Sequence, residues 1–183
     1  MSAADEPIRL AEIYRFLAQT MRYPESSWFH DDYLSVFKEM LVQLEWQDNV
    51  NALPERITDE ILEEIQVDYT RLFINAVPHV IAPPYASVYI DGTLNSTTAD
   101  KTREYFRQKG FDTTNTEFPD HLVTELDFLS LLEDESEGSS EEFLTQYFRP
   151  WFEMFRDLVL KEVEVSYIKS AIELIDFFTT NET

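Results

Sequence analysis

Asp120 and His121 are neighbours, and Glu125 follows the histidine by four residues. On a helix that spacing puts the imidazole and the second carboxylate on one face. Such a set can move a proton, or supply part of a metal site. The surrounding sequence gives a metal-dependent helical enzyme little support. Carboxylate metal sites in helical proteins draw on paired helices, yet the chain has no second E-x-x-H, and its other histidines, His30 and His79, are distant in sequence. Two readings remain for Asp120. It can favour the positive end of its own helix, or accept two parallel N–H bonds from the guanidinium of a basic peptide. His121 can donate to peptide carbonyls or satisfy the helix end, and Glu125 is expected to support rather than touch a ligand.

Other chemistry is largely excluded. There are no cysteines, so no disulfide framework, thiol nucleophile or cysteine-ligated zinc. Three glycines cannot build the Gly-rich cradles of the common nucleotide sites. A net charge of −22 repels phosphate backbones, so nucleic acid and anionic membranes are not expected partners, whereas a basic peptide is. No apolar run is long enough for a membrane span. The start, MSAADEPIRL, lacks the basic and apolar regions of a signal peptide, so a cytoplasmic location is expected. No cofactor and no metal are expected.

The elements that must position these residues are helical. With 183 residues, 44% of them apolar and 14% aromatic, the chain can build one sizeable core. Apolar spacing at i, i+3 and i+4 predicts helices over about 7–21, 27–46, 59–75, 99–109, 119–133, 141–162 and 164–178. Thr58 suits the N-cap of the third. Thr97 with Asp100, and Ser139 with Glu142, look like capping boxes. Gly110 suits the residue after a helix end, and Pro150 should kink or restart its helix. Residues 47–57 read as a polar connection, and 76–98, with Pro78, Pro83, Pro84 and Gly92, as a long functional loop. The fold class is therefore all-α, a single helical bundle of about seven or more helices. It has a hinge near 110–120 between an N-terminal half, about 1–110, and a C-terminal half, 119–183.

Three segments carry a resemblance. They are Asp68-Tyr69-Thr70-Arg71-Leu72-Phe73, then Pro83-Pro84-Tyr85-Ala86-Ser87-Val88-Tyr89, then Glu117-Phe118-Pro119-Asp120-His121-Leu122 followed by Glu125-Leu126 and Phe128. In order and spacing they resemble the Y-x-R-L-F, PP-x-x-S-x-Y and E-P-x-D-H-L-x-x-E-L-x-F segments of the TorD/DmsD/NarJ redox-enzyme maturation chaperones. Tyr14-Arg15-Phe16-Leu17 fits as well. Two departures stand out: Phe118 replaces the usual proline, and Tyr85-Ala86 replaces the Trp-Gly of the dimethyl-sulfoxide-reductase type.

The resemblance implies an all-α, non-catalytic cytoplasmic chaperone, monomeric or a domain-swapped dimer. It would bind the signal peptide, often twin-arginine, of a molybdenum-cofactor oxidoreductase subunit and delay export until cofactor insertion. The nitrate-reductase branch serves a non-exported catalytic subunit instead. A peptide with a basic start and an apolar stretch calls for an apolar wall with acids at one end. Tyr69, Leu72, Phe73, Pro84 and Tyr85 are the candidate wall, although the helical spacing of Leu72 and Phe73 favours the core; Asp120 and His121 are the polar contacts. Ser87 and Tyr89 would pin the loop. Arg71 is expected to form a structural ion pair with Glu117 or Asp120.

Overall fold

The computed structural model describes residues 8–29, 31–76, 79–113 and 118–180. Among these residues all regular structure is helical; the only extended pairing is one isolated antiparallel bridge, Tyr85 with His121. The helices are α1 (Leu10–Thr20), α2 (Asp31–Gln43), α3 (Gln47–Ala52), α4 (Asp59–Tyr69), α5 (Ala86–Ile90), α6 (Thr97–Gln108), α7 (Leu122–Glu135), α8 (Glu141–Phe143), α9 (Arg149–Glu162) and α10 (Ser166–Thr180). No helix of the described residues is long and apolar enough to cross a membrane.

The chain forms two compact units, and they do not follow a cut near 110–120. One comprises 1–22, 84–155 and 179–183; the other comprises 23–83 and 156–178. In the first unit α1 lies along α7. Its apolar stripe, Tyr14 and Leu17, joins a fully buried core with Leu122, Leu126, Leu129, Phe143, Phe148 and Trp151. Arg22 closes one edge on Asp127 at 2.6 Å, and Arg15 pairs with Asp134. In the second unit Phe37, Leu41, Ile65, Leu72, Ile172 and Ile175 form the core.

Two predicted loops contain helix. The 47–57 connection holds α3, and the 76–98 loop holds α5; both are too short to show a periodicity. The α3 turn is secured by tertiary bonds, with the Asn49 amide donating to Glu173 (2.5 Å) and Ser170 (3.2 Å). Thr58 caps α4 as expected, accepting from Ile61 N–H at 3.3 Å. Gly110 follows α6 with φ +87°, a conformation that favours glycine.

The two capping boxes are not formed as predicted. Thr97 lies inside α6, where Asp91 accepts the Thr98 N–H at 2.8 Å. Ser139 instead donates its hydroxyl to the Leu132 carbonyl near the end of α7. That helix starts at Leu122 rather than Pro119, with His121 as its N-cap.

Two wide π turns interrupt the helical run. One, Leu144–Phe148, joins α8 to α9 directly before Pro150. Proline lacks an N–H and its ring crowds the carbonyl four residues back, so a widened turn relieves the clash without ending the helix. The other, Thr70–Ile74, follows α4 and leaves the Leu72 carbonyl to accept the Ala82 N–H at 2.8 Å.

Candidate functional site

From Pro84 onward, the second motif meets the third in the first unit. The Ala86 N–H donates to the Asp120 carbonyl and the Leu122 N–H to the Pro84 carbonyl, each at 2.9 Å. This short antiparallel clasp fixes the chain on both sides of Tyr85 and His121. Asp120 reinforces it through its side chain: Oδ2 accepts the Ser87 N–H at 2.8 Å, while Oδ1 is buried without a partner. The Ser87 hydroxyl in turn accepts the Asn95 N–H at 3.1 Å. Ser87 and Asp120 are both fully buried.

Above this clasp lies a partly exposed aromatic group. The Tyr85 ring meets Phe118 edge-on at 5.4 Å and His121 at 4.8 Å. All three residues are partly exposed, whereas Pro84 and Pro119 beside them are buried. Burial, and then the Asp120 charge, raise the Tyr85 phenol above its ordinary pKa, so it stays a neutral donor. Phe118, the departure from the family pattern, is therefore one wall of the aromatic group. No local signal marked it, because its partner lies 33 residues away.

His121 faces inward on one nitrogen. Its Nδ1 accepts the Val123 N–H at 3.1 Å, which leaves the ring proton on Nε2. Desolvation, with a smaller contribution from Arg22, lowers its pKa to about 4 against the opposing pull of Asp120. The imidazole is thus neutral at physiological pH. Because the folded value lies below the unfolded one, His121 costs stability as pH falls from about 6.5 towards 4. We expect its ring protons to titrate near pH 4 by NMR and to stay flat between pH 6 and 8; a midpoint above 6 would contradict this geometry.

Glu125 is fully buried below the clasp. Its Oε2 accepts the Trp151 indole N–H at 2.9 Å, and its Oε1 has no partner. Desolvation raises its pKa well above the ordinary carboxylate value; the Trp151 bond opposes this, and the Asp120 charge adds to it. Tyr89 packs against Trp151 at 5.8 Å and Phe155 at 6.2 Å, and its buried hydroxyl has no partner. Trp151 was missed in the sequence: an indole 26 residues downstream carries no motif. Asp127, paired with Arg22 at 2.6 Å and 40% exposed, was also missed.

The Asp120-His121-Glu125 set does not converge as ligands. Each side chain is committed to a separate bond, and among the described residues no three metal-ligating side chains come together.

The first motif belongs to the second unit and is buried there. Tyr69 is 8% exposed, Phe73 5% and Leu72 0%. Tyr69 meets Tyr23 and Phe73 edge-on at 5.6 and 4.9 Å. These side chains are core, and Leu72 offers no surface to a peptide without opening of the fold. The expected pairing of Arg71 with Asp120 is replaced by one with Asp68 at 2.6 Å, supplemented by Glu164 at 3.5 Å. An acid three residues back on the same helical run was closer than any distant one. Glu117, the other expected partner, lies outside the described residues.

Residues 39–157 match the family model of the nitrate reductase delta subunit. In fold the chain is similar to the crystal structure of a protein put forward as a redox enzyme maturation protein from Archaeoglobus fulgidus. The TM-score is 0.65 at 24% identity, over 96% of this chain and 97% of that one. No curated protein matches the chain in sequence.

Proposed function

Since the chain belongs to the nitrate reductase delta subunit family, the TorD/DmsD/NarJ group of redox-enzyme maturation chaperones, we propose that it is a cytoplasmic chaperone for a molybdenum-cofactor oxidoreductase subunit. It would hold that subunit's N-terminal signal peptide on the Tyr85–Phe118–His121 face until the cofactor is in place. The observation that carries this reading is the clasp. It holds three partly exposed aromatic residues, Tyr85, Phe118 and His121, in edge-on contact and fixes them with buried hydrogen bonds.

The chemistry suits a peptide with apolar and basic residues. Tyr85 and Phe118 supply apolar surface, with the tyrosine hydroxyl as a polar handle. The Nε2–H of neutral His121 is a donor for a peptide carbonyl. Asp127 is exposed and already holds one guanidinium, that of Arg22, so a client arginine has an acceptor geometry to exchange into. Asp120 acts beneath as a positioning residue.

The family description favours a second reading of the client: a nitrate-reductase-type catalytic subunit that is not exported. The same face would then take that subunit's N-terminus, and a pull-down would recover a partner without a twin-arginine signal.

Calorimetric titration of candidate redox-enzyme N-terminal peptides tests the site. Tyr85→Ala should weaken binding by about 1–2 kcal/mol or more, as central aromatic anchors do. Asp120→Asn should weaken it less and leave the enthalpy sign unchanged. If Tyr85→Ala and Phe118→Ala both bind at wild-type affinity while remaining folded, the site is elsewhere.

A further inference from the structure

The second unit carries a groove of about 330 Å³ that shares no residue with the clasp. This is the small end of ligand-sized pockets, roughly 300–1,000 Å³. Its walls are Leu53, Pro54, Ile61, Ile65, Val165 and Tyr167, with Glu64 and Glu164 at the rim. Leu53, Ile65 and Tyr167 are buried, while Glu64 is exposed and the Glu164 side chain is 75% exposed. The groove is thus apolar within and acidic outside.

The surrounding charge is one-sided. Helix α4, which forms one wall, reads DEILEEIQVDY: five acids and no base. Glu162 and Glu164 flank the opposite wall, and Arg56 is the one cation between Leu53 and Tyr69. The start of α10 lines the groove and would by itself attract an anion. Asp68 already answers it, accepting the Glu164 and Val165 N–H groups at 2.9 and 3.0 Å. Arg71 answers part of the rim charge through Glu164 at 3.5 Å, but the acids around the groove still outnumber the cations and the net charge there is negative.

We infer that this groove is a second docking point for the client polypeptide, taking an apolar side chain that is followed or preceded by arginine or lysine. The charge complementarity selects this occupant: an acidic segment would be repelled at the rim, and a purely apolar one would leave Glu64, and the Glu164 that Arg71 only partly answers, without a basic partner. The chaperone reading supplies only the source of the segment; the groove's preference for a basic-apolar sequence stands on its own lining.

The test uses the full chain and a synthetic peptide, acetyl-Ser-Arg-Leu-Leu-Arg-Ser-amide. Two controls accompany it, one with both arginines replaced by glutamate and one with both leucines replaced by serine. Methyl NMR of Ile61, Ile65 and Val165 reports the groove, and the ring signals of Tyr85 and His121 report the clasp. The parent peptide should shift the groove methyls and the controls should not. Combined E64Q and E164Q should weaken the parent about three- to tenfold at low salt, and 0.5 M salt should do much the same to the wild type.

Shifts confined to the clasp would overturn the groove proposal and leave the proposed function standing. Groove binding by the parent, with no oxidoreductase peptide binding anywhere, would do the reverse. Groove shifts that grow with protein concentration in the absence of peptide would assign the groove to a second copy of the chain and overturn the proposal. Equal binding of parent and charge-reversed peptide would overturn it too, as would no shift at either place.

Discussion

Asp68→Ala should cost about 3–5 kcal/mol of unfolding free energy, the range for removing one partner of a buried, hydrogen-bonded charge pair. The carboxylate is 3% exposed and collects four donors. Oδ1 takes Arg71 Nε at 3.1 Å and Nη2 at 2.6 Å; Oδ2 takes the backbone N–H groups of Glu164 and Val165. Arg71 Nη2 also donates to the Glu162 carbonyl at 2.5 Å. One side chain therefore ties the end of α4 to the turn between α9 and α10, and its loss leaves two N–H groups and a guanidinium short of an acceptor.

Urea unfolding followed by tryptophan fluorescence measures the effect. Arg71→Ala should cost less, about 1–3 kcal/mol, since Asp68 keeps its two backbone donors. The double variant should lose clearly less than the sum, because the pair shares one network. A loss below about 1 kcal/mol for Asp68→Ala would show that the turn is held by packing alone. A folded Arg71→Ala that binds client peptide normally would place this segment's importance in stability rather than in recognition.

That distinction bears on what could be read from the residues. The helical repeat of Leu10, Ile13, Tyr14 and Leu17, or of Ile168, Ile172 and Ile175, follows directly from side chains facing a core, so the long helices were legible. The short ones were not: α3 and α5 span fewer than two turns and exist because distant groups, such as Glu173 on α10 and Asp120 before α7, accept their donors. The clasp was half legible. Motif order announced Pro84, Tyr85, Asp120 and His121, but nothing local said that Asp120 would be buried under Tyr85 rather than exposed beside it. Helical spacing favoured the core for Leu72 and Phe73 without excluding a binding role, since core and binding surfaces use the same apolar residues. Burial settles that point, placing them in the interior of the second unit. The two interleaved units escaped notice because chain continuity suggests halves, whereas contacts group residues from three separate stretches into the first unit.

Glu125→Gln should raise stability at pH 8 by about 1–3 kcal/mol, the cost of a buried acceptor left without a partner, and should change it little at pH 4. The direction follows from linkage. Desolvation lifts the folded carboxyl well above its ordinary value, so the folded state holds a proton that the unfolded state releases. Stability from this group is complete below the unfolded value of 4.5 and is lost as pH rises from there towards the folded value. A glutamine keeps an oxygen for the Trp151 indole and puts an uncharged amide nitrogen in place of Oε1, so the site no longer has a proton to hold or release.

Trp151→Phe is the converse variant. It removes the one donor that Glu125 has, and it should destabilise more at pH 8 than at pH 4. His121 works in the opposite direction, costing stability as pH falls from about 6.5 towards 4. Glu125, buried beneath the Tyr85 face, and His121, within it, therefore narrow its stable range from both sides. In Glu125→Gln the alkaline limb of a pH–stability curve should flatten while the acidic limb persists. Identical limbs in wild type and variant would mean that Glu125 keeps an ordinary pKa, and the clasp would then rest on an ionised carboxylate instead of a neutral acid.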